Sequence, residues 1–192
     1  MPNDTTLVRA FIAVEFSPEA REEFVRVEEV FKKAGADVKW VEPENVHITL
    51  KFLGNIPEEK IAYFAEKVEK AAFLTRSFEM VLEGTGAFPG WGYPKVIWIG
   101  IGEGNKEIKG LAKSVEDVLA EEGFEKENRP FSPHVTIGRV RTGKNRSRLK
   151  EIAESLEIKA VTSSVSRIIL FRSDLSPKGP AYTPLATIDL RG

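Results

Sequence analysis

The 192-residue sequence holds only two histidines, and both stand in the same phrase: "HITL" at residues 47–50 and "HVTI" at 134–137. Alternate side chains of an extended strand share a face. His47 and Thr49 therefore project together, as do His134 and Thr136, while Ile48, Leu50, Val135 and Ile137 point the other way into a core. Threonine is about one residue in twenty here, so chance puts it two places after both histidines about once in 400 such chains.

Two imidazoles turned toward one point form an acid–base pair that works near neutral pH. On opposite sides of a phosphorus atom, one can activate the nucleophile while the other protonates the leaving oxygen. The threonine hydroxyls sit on stiff branched stems and can donate to the non-bridging oxygens as charge builds. This chemistry calls for no metal and no other cofactor. The rival assignments fare worse. A lone strand histidine is ordinarily a packed or surface residue, but here there are two in one context. Half a zinc site would find no cysteine to complete it and no carboxylate at ligand spacing. A serine hydrolase would need a G-x-S-x-G elbow, which the sequence lacks.

Residues near the two phrases can extend the site. Lys51 has the parity of His47 and Thr49 and is expected to line the same cleft. Arg139 lies five places after His134, an odd step, so strict alternation turns it away; a bulge at Gly138 would re-aim it. Phe52 and Tyr182 can offer a flat face to a nucleobase, with core packing the competing use of Phe52. Arg139, Arg141, Lys144, Arg146, Arg148 and Lys150 follow one another with no acid before Glu151. That run reads either as an RNA-backbone contact beside the cleft or as a solvated loop entering a helix.

The elements that must hold these residues can be traced from periodicity. "LVRAFIAVEF" reads as a first strand, ending before Ser17-Pro18, a helix start. Ala20, Phe24, Val27 and Phe31 then recur at helical spacing up to Gly35. A turn at Glu42-Pro43-Glu44 leads into the first histidine strand. A helix from near Pro57 carries Ile61, Phe64, Ala65, Val68 and Ala72 inward, and "SFEMVLEG" alternates like a strand. "YPKVIWIGIG" reads as another strand. Ile108, Leu111, Ala112, Val115, Val118 and Leu119 mark a third helix, followed by the second histidine strand. Leu149, Ile152, Ala153 and Leu156 mark a fourth. "SVSRIILFRSDL" and "AYTPLATIDL" close the chain as strands joined by "SPKGP". Each half thus reads strand, helix, histidine strand, helix, strand. The expected fold is α+β, with two pseudo-twofold-related lobes of mostly antiparallel sheet, helices outside and a central cleft. Residues 1–192 are expected to form a single bilobal catalytic domain, each lobe supplying one histidine strand. "GTGAFPGWGYP" (84–94) reads as a loop whose Phe88, Trp91 and Tyr93 either pack beneath it or meet a ligand.

Composition bounds the rest. At 42% hydrophobic and 30% charged residues, the chain can bury a core and is not of the disordered class. The net charge of −1 provides no global attraction to nucleic acid or to an anionic membrane, so any anion site must be local. There is no cysteine, which removes disulfides and thiolate chemistry. No signal-peptide pattern opens the sequence and no apolar run approaches bilayer length, so a cytoplasmic protein without membrane association is expected. Glutamine is absent and Lys, Arg and Glu are plentiful, a thermophile-like balance.

The paired phrases, about ninety residues apart, resemble those of the two-histidine phosphoesterases, in particular the RNA 2′,3′-cyclic phosphodiesterases, also called 2′-5′ RNA ligases. The likeness runs through "RAFIAVEF", "KWVEPENVHITLKFLG", "FSPHVTIGRVR" and "SRIILFRSDLSPKGPAYTPLA". It implies hydrolysis of a terminal 2′,3′-cyclic phosphate on RNA, tRNA fragments among the candidates, to a 2′-phosphomonoester, with reversible 2′-5′ joining in some members. By position, His47 resembles the proton donor to the leaving 3′ oxygen and His134 the base that activates water. Thr49 and Thr136 match phosphate-binding threonines. Arg139 matches an arginine that members place after the second phrase, which favours the bulge. A phosphodiesterase for small cyclic or 2′-5′ linked nucleotides, or a non-catalytic RNA-end binding module, are the alternatives. A cleft complete within one chain favours a monomer.

Overall fold

Ser17 and Pro18 start a helix as their types dictate. In the computed structural model, which describes residues 6–176 and 179–192, β1 covers Leu7–Val14 and α1 covers Pro18–Lys32. The Ser17 hydroxyl accepts from the Ala20 amide at 3.3 Å, capping the first turn. Ala20, Phe24, Val27 and Phe31 form the buried face of α1. The chain continues through β2 (Val38–Trp40), a 3₁₀ turn at Pro43–Asn45 and β3 (Ile48–Pro57). Then come a second 3₁₀ turn at Glu58–Lys60, α2 (Ile61–Phe73), β4 (Phe78–Phe88) and β5 (Val96–Ile101). The remainder is α3 (Asn105–Glu121), β6 (His134–Val140), α4 (Arg146–Ser155), β7 (Thr162–Val165), β8 (Arg167–Ser176) and β9 (Gly179–Asp189). Of the "SPKGP" turn, Pro177 and Lys178 lie outside the described residues.

The strands form two antiparallel sheets, ordered β3-β1-β8-β9 and β2-β6-β5-β4-β7. The fold is α+β with two sheets, but the sheets do not follow the halves of the chain. β4, which follows the first histidine strand and α2, joins the second sheet beside β5. β8, which follows the second histidine strand, α4 and β7, joins the first sheet beside β1. The exchange is reciprocal: β1, β3 and β8 on one side match β5, β6 and β4 on the other. The helices cross as well. α1 leaves the first sheet and packs behind β6 and β7, while α3 leaves the second and packs behind β3.

One continuous apolar cluster fills the space behind both sheets, including Ile12, Phe24, Phe31, Ile48, Ile97, Ile99, Leu111, Val135 and Ile137. Burying each such side chain contributes about 1.5–3 kcal/mol. The opposite face of the first sheet carries a separate cluster of Phe11, Ala13, Ile169 and Phe171, with Tyr182 against it. The apolar partners of the histidine phrases thus lie in the main core, and the alternate residues face the other way. "GTGAFPGWGYP" is not all loop: β4 runs through it to Phe88.

Candidate active site

His47 lies just before β3, after the turn that ends at Asn45. Its Nδ1 is 2.7 Å from the Asn45 carbonyl oxygen and its Nε2 is 3.0 Å from Thr49 Oγ1. His134 opens β6, and its Nδ1 is 2.7 Å from the Ser132 carbonyl oxygen. A carbonyl can only accept, so Nδ1 carries the proton in both rings and Nε2 is the atom presented for chemistry. The two phrases therefore share a tautomer lock as well as a sequence: each histidine donates to the carbonyl two residues before it.

Burial holds both imidazoles below their ordinary pKa. His47 is pushed down to about 4, its bond to Asn45 opposing the shift and the nearby Arg21 charge adding to it. His134 is lowered for the same first reason, with Ser132 opposing and Arg139 adding. Burial thus favours the neutral form of both rings at pH 7, and an anion beside them would favour their charged forms.

Aromatic side chains frame the rings. Phe11 lies 4.9 Å from His47 between centroids, and Tyr182 meets the same ring edge-on at 5.2 Å. Phe88 meets His134 edge-on at 4.9 Å, and Trp98 lies 6.2 Å from it. Phe11 and Trp98 escaped the sequence reading because each sits in a strand that reads as core. Their parity with the small residues Ala13 and Gly100, on strands paired with the histidine strands, was the available signal.

A bulge follows each phrase. In β6, Gly138 pairs with Ile97 and Thr136 with Trp98, so Ile137 is the extra residue. Arg139 returns to the face of His134 and Thr136. Its charge adds to the lowering of the His134 imidazole and opposes the rise that burial gives the Tyr182 hydroxyl on the other sheet. Gly138 itself faces backwards, beneath Val38 and Trp40; a Cβ there would come within 2.7 Å of Val38 Cγ1 and 2.9 Å of the Trp40 ring.

In β3, Thr49 pairs with Ala13 and Lys51 with Ile12, leaving Leu50 extra. This corrects the placing of Lys51 in the cleft. Simple alternation fails at the bulge, and Lys51 turns to the helix side. Only 4% of it is exposed. Its Nζ lies 2.6 Å from the Glu125 carbonyl oxygen, 3.2 Å from Glu116 Oε1 and 3.5 Å from Glu127 Oε1. Phe52 takes the cleft-facing place, 61% exposed, with its ring 6.1 Å from Phe11. It is not a core residue. Of the other aromatics in question, Trp91 stacks at 6.0 Å on Phe31 in the core and Tyr93 is exposed beneath the Arg146 guanidinium.

Among the described residues, no cluster of three or more His, Cys, Asp or Glu side chains has the arrangement of a metal site. Among them, too, no helix is long and apolar enough to cross a membrane.

Two sheets facing each other across a cleft, each presenting an imidazole and a hydroxyl from an H-x-T-x strand, define a two-histidine phosphoesterase. The LigT-like phosphoesterase family model matches residues 14–98 and again 99–182, one match for each phrase, and the chain belongs to that family. An RNA 2′,3′-cyclic phosphodiesterase of Methanothermobacter thermautotrophicus is 36% identical over 184 residues, covering 95% of this chain and 99% of that one. One of Archaeoglobus fulgidus is 38% identical over 188 residues, covering 95% and 100%. The crystal structure of a Thermus thermophilus protein superposes with a TM-score of 0.75 at 32% identity, covering 96% and 98%. That of Escherichia coli LigT complexed with 3′-AMP gives 0.77 at 23% identity, covering 97% and 100%, a likeness of fold.

Proposed function

We propose that this protein is an RNA 2′,3′-cyclic phosphodiesterase that opens a terminal cyclic phosphate to a 2′-phosphomonoester by histidine acid–base catalysis without a metal. The observation that carries the reading is the matched pair of imidazoles, each locked through Nδ1 to the carbonyl two residues before it and each with Nε2 left for proton transfer. The names of the relatives support the substrate.

In this mechanism water attacks phosphorus while His134 Nε2 takes its proton. The bond from phosphorus to the 3′ oxygen breaks, and His47, charged in the substrate complex, gives its Nε2 proton to that oxygen. The anionic phosphate itself supplies the charge that lifts His47 from its low resting pKa. Thr49, Thr136 and Arg139 hold the non-bridging oxygens. Phe52 and Tyr182 take the terminal base and ribose. All proton transfers and charge neutralisation fall to side chains, which is why a metal is not needed. Run in the same direction, with a 5′-hydroxyl in place of water, the same groups would join a 2′-5′ linkage: His134 takes the 5′-hydroxyl proton and His47 protonates the departing 3′ oxygen.

The protein is proposed to act as a cytoplasmic monomer, one chain forming a single bilobal catalytic domain, with tRNA fragments among its substrates. The test is turnover of a 2′,3′-cyclic phosphate oligonucleotide in EDTA. Wild type should release the 2′-phosphate, and His47→Ala and His134→Ala should each abolish it. An EDTA-resistant rate that survives both substitutions would overturn the assignment.

A further inference from the structure

β2 is a three-residue edge strand, and its middle residue is a lysine. Val38 and Trp40 pack backwards, against Gly138 and the Phe31 ring. Lys39 must then point forwards, onto the cleft face. Its direct cross-strand neighbour is Arg139. Neighbouring strands lie about 4.8 Å apart, so two positive side chains stand side by side on one surface. Like charges directly opposite in an antiparallel pair are destabilising. Some lysines of this chain do have acidic partners, Lys32 with Glu28 and Glu29, Lys67 with Glu122 and Lys126 with Asp117. Among the described residues, no acidic side chain answers Lys39 or Arg139.

The Lys39 amine also reaches across to the other sheet. A side chain on Gly179, at the start of β9, would lie within 3.9 Å of Nζ. The next residue, Pro180, accepts a bond at 3.3 Å from Asn45 Nδ2, in the turn that positions His47. Lys39 thus stands at the mouth of the cleft. It is one strand farther from His134 than Arg139 is, and between the two walls.

We infer that Lys39 binds the phosphodiester on the 5′ side of the terminal nucleotide, giving the site a preference for an RNA chain over a mononucleotide. The inference rests on the proposed RNA-end activity and assigns its second anion contact. Arg139 serves the reacting phosphate and Lys39 the next one along the strand. An unpaired ammonium is suited to this task, since it offers a point charge with three donors to an oxygen whose position varies with ribose pucker. It carries no base preference.

Binding of product ends tests this apart from turnover. The probes are a trinucleotide and a mononucleotide, each bearing a terminal 2′-phosphate, titrated calorimetrically over a range of salt. For Lys39→Gln the ratio of trinucleotide to mononucleotide affinity should fall about tenfold. The salt slope for the trinucleotide should drop by about 0.7, the release of one counterion from a single strand. Lys39→Arg should retain the ratio. Lys70→Gln makes the same charge change on α2 and should leave the ratio at the wild-type value. An unchanged ratio in Lys39→Gln, or an equal fall in Lys70→Gln, overturns the inference. Loss of the EDTA-resistant turnover would instead sink the function reading, whatever these titrations give.

Discussion

Phe52 and Arg139 hold the same place in the two lobes: each lies five residues after its histidine, and each is turned to the cleft by a one-residue bulge. The same backbone device presents a ring on one wall and a guanidinium on the other. Their losses should therefore differ in kind. Phe52→Ala removes a stacking surface worth about 1–3 kcal/mol per base, so KM should rise about tenfold or more with kcat nearly kept. Because the ring is 61% exposed, Tm should hardly move. Arg139→Ala should lower kcat about 100-fold, as loss of a charge-stabilising donor does. Steady-state kinetics on one cyclic-phosphate oligonucleotide separate the two. A kcat loss in Phe52→Ala as large as that in Arg139→Ala would refute the division.

The pH dependence follows from the buried imidazoles. The proposed catalysis needs one ring charged and the other neutral, a state most populated between the two pKa values. In the free enzyme both lie below the usual 6.5, His47 near 4. The profile of kcat/KM, which reports the free enzyme, should therefore peak below pH 6.5 and fall as pH rises. Bound phosphate is anionic and favours the imidazolium, so the kcat profile should be displaced to higher pH. Measuring both from pH 4 to 9 at constant ionic strength checks the order. A kcat/KM maximum above pH 7, or coincident profiles, would contradict it.

Thr49 donates to His47 Nε2 across 3.0 Å when that ring is neutral, whereas Thr136 has no such bond to His134. Thr49→Val keeps the branched shape and deletes the hydroxyl. It should cost about 100-fold in kcat as a phosphate donor is lost. It should also shift the His47 titration seen by NMR, because its neutral-form partner has gone. Thr136→Val should cost kcat similarly and leave the His134 titration in place. Thr49→Ser should recover most of the rate. Equal titration shifts in both valine variants would dispose of the asymmetry.

Lys51 links β3 to α3 and to the segment around Glu125–Glu127 that runs on toward His134. Removing one member of a buried charge pair costs about 3–5 kcal/mol, because the partner loses its compensation. Glu116 is partly exposed and keeps its bond from the Glu127 amide at 2.7 Å, so the expected loss for Lys51→Met is nearer about 2–3 kcal/mol. Urea unfolding should show this as a lower midpoint with an unchanged slope. A stability change below about 0.5 kcal/mol would mean that the buried amine is not a tie.

How far the site was legible depended on where period-two alternation held. His47, Thr49, His134 and Thr136 were readable because two residues carry a strand side chain back to the same face. Alternation stopped at Leu50 and at Ile137, where one extra residue shifts everything downstream. At Gly138 the sequence signalled the break, since a glycine in a strand marks close approach or a bulge. At Leu50 no glycine marks it, and so Lys51 left the face expected of it, while Phe52 took the cleft-facing place that its use on a nucleobase requires. The helices were read well because their stripes are long: Ile108, Leu111, Ala112, Val115 and Leu119 are all buried. The exchange of β4 and β8 between sheets left no local trace. Both strands alternate equally well wherever they pair, and the choice is made by contacts far apart in the chain.

Gly138 brings these threads together. Its φ is unremarkable, so a side chain there meets no backbone strain of its own; the obstacle is space. A Cβ would come within 2.7 Å of Val38 and 2.9 Å of the Trp40 ring, both on β2 and both packed backwards. Overpacking of this kind costs about 1–3 kcal/mol. The cheapest relief moves β2 outwards, and with it the bulge that aims Arg139 and the strand that carries Lys39. Gly138→Ala should therefore lose more activity than its stability loss explains. At a temperature where the variant is fully folded by circular dichroism, kcat/KM should still be down about tenfold or more. Trp40→Phe in the same chain shrinks the ring above the new methyl, and the double variant should regain part of both stability and rate. If Gly138→Ala loses stability while the folded fraction keeps wild-type kcat/KM, the glycine serves packing alone and does not aim the arginine.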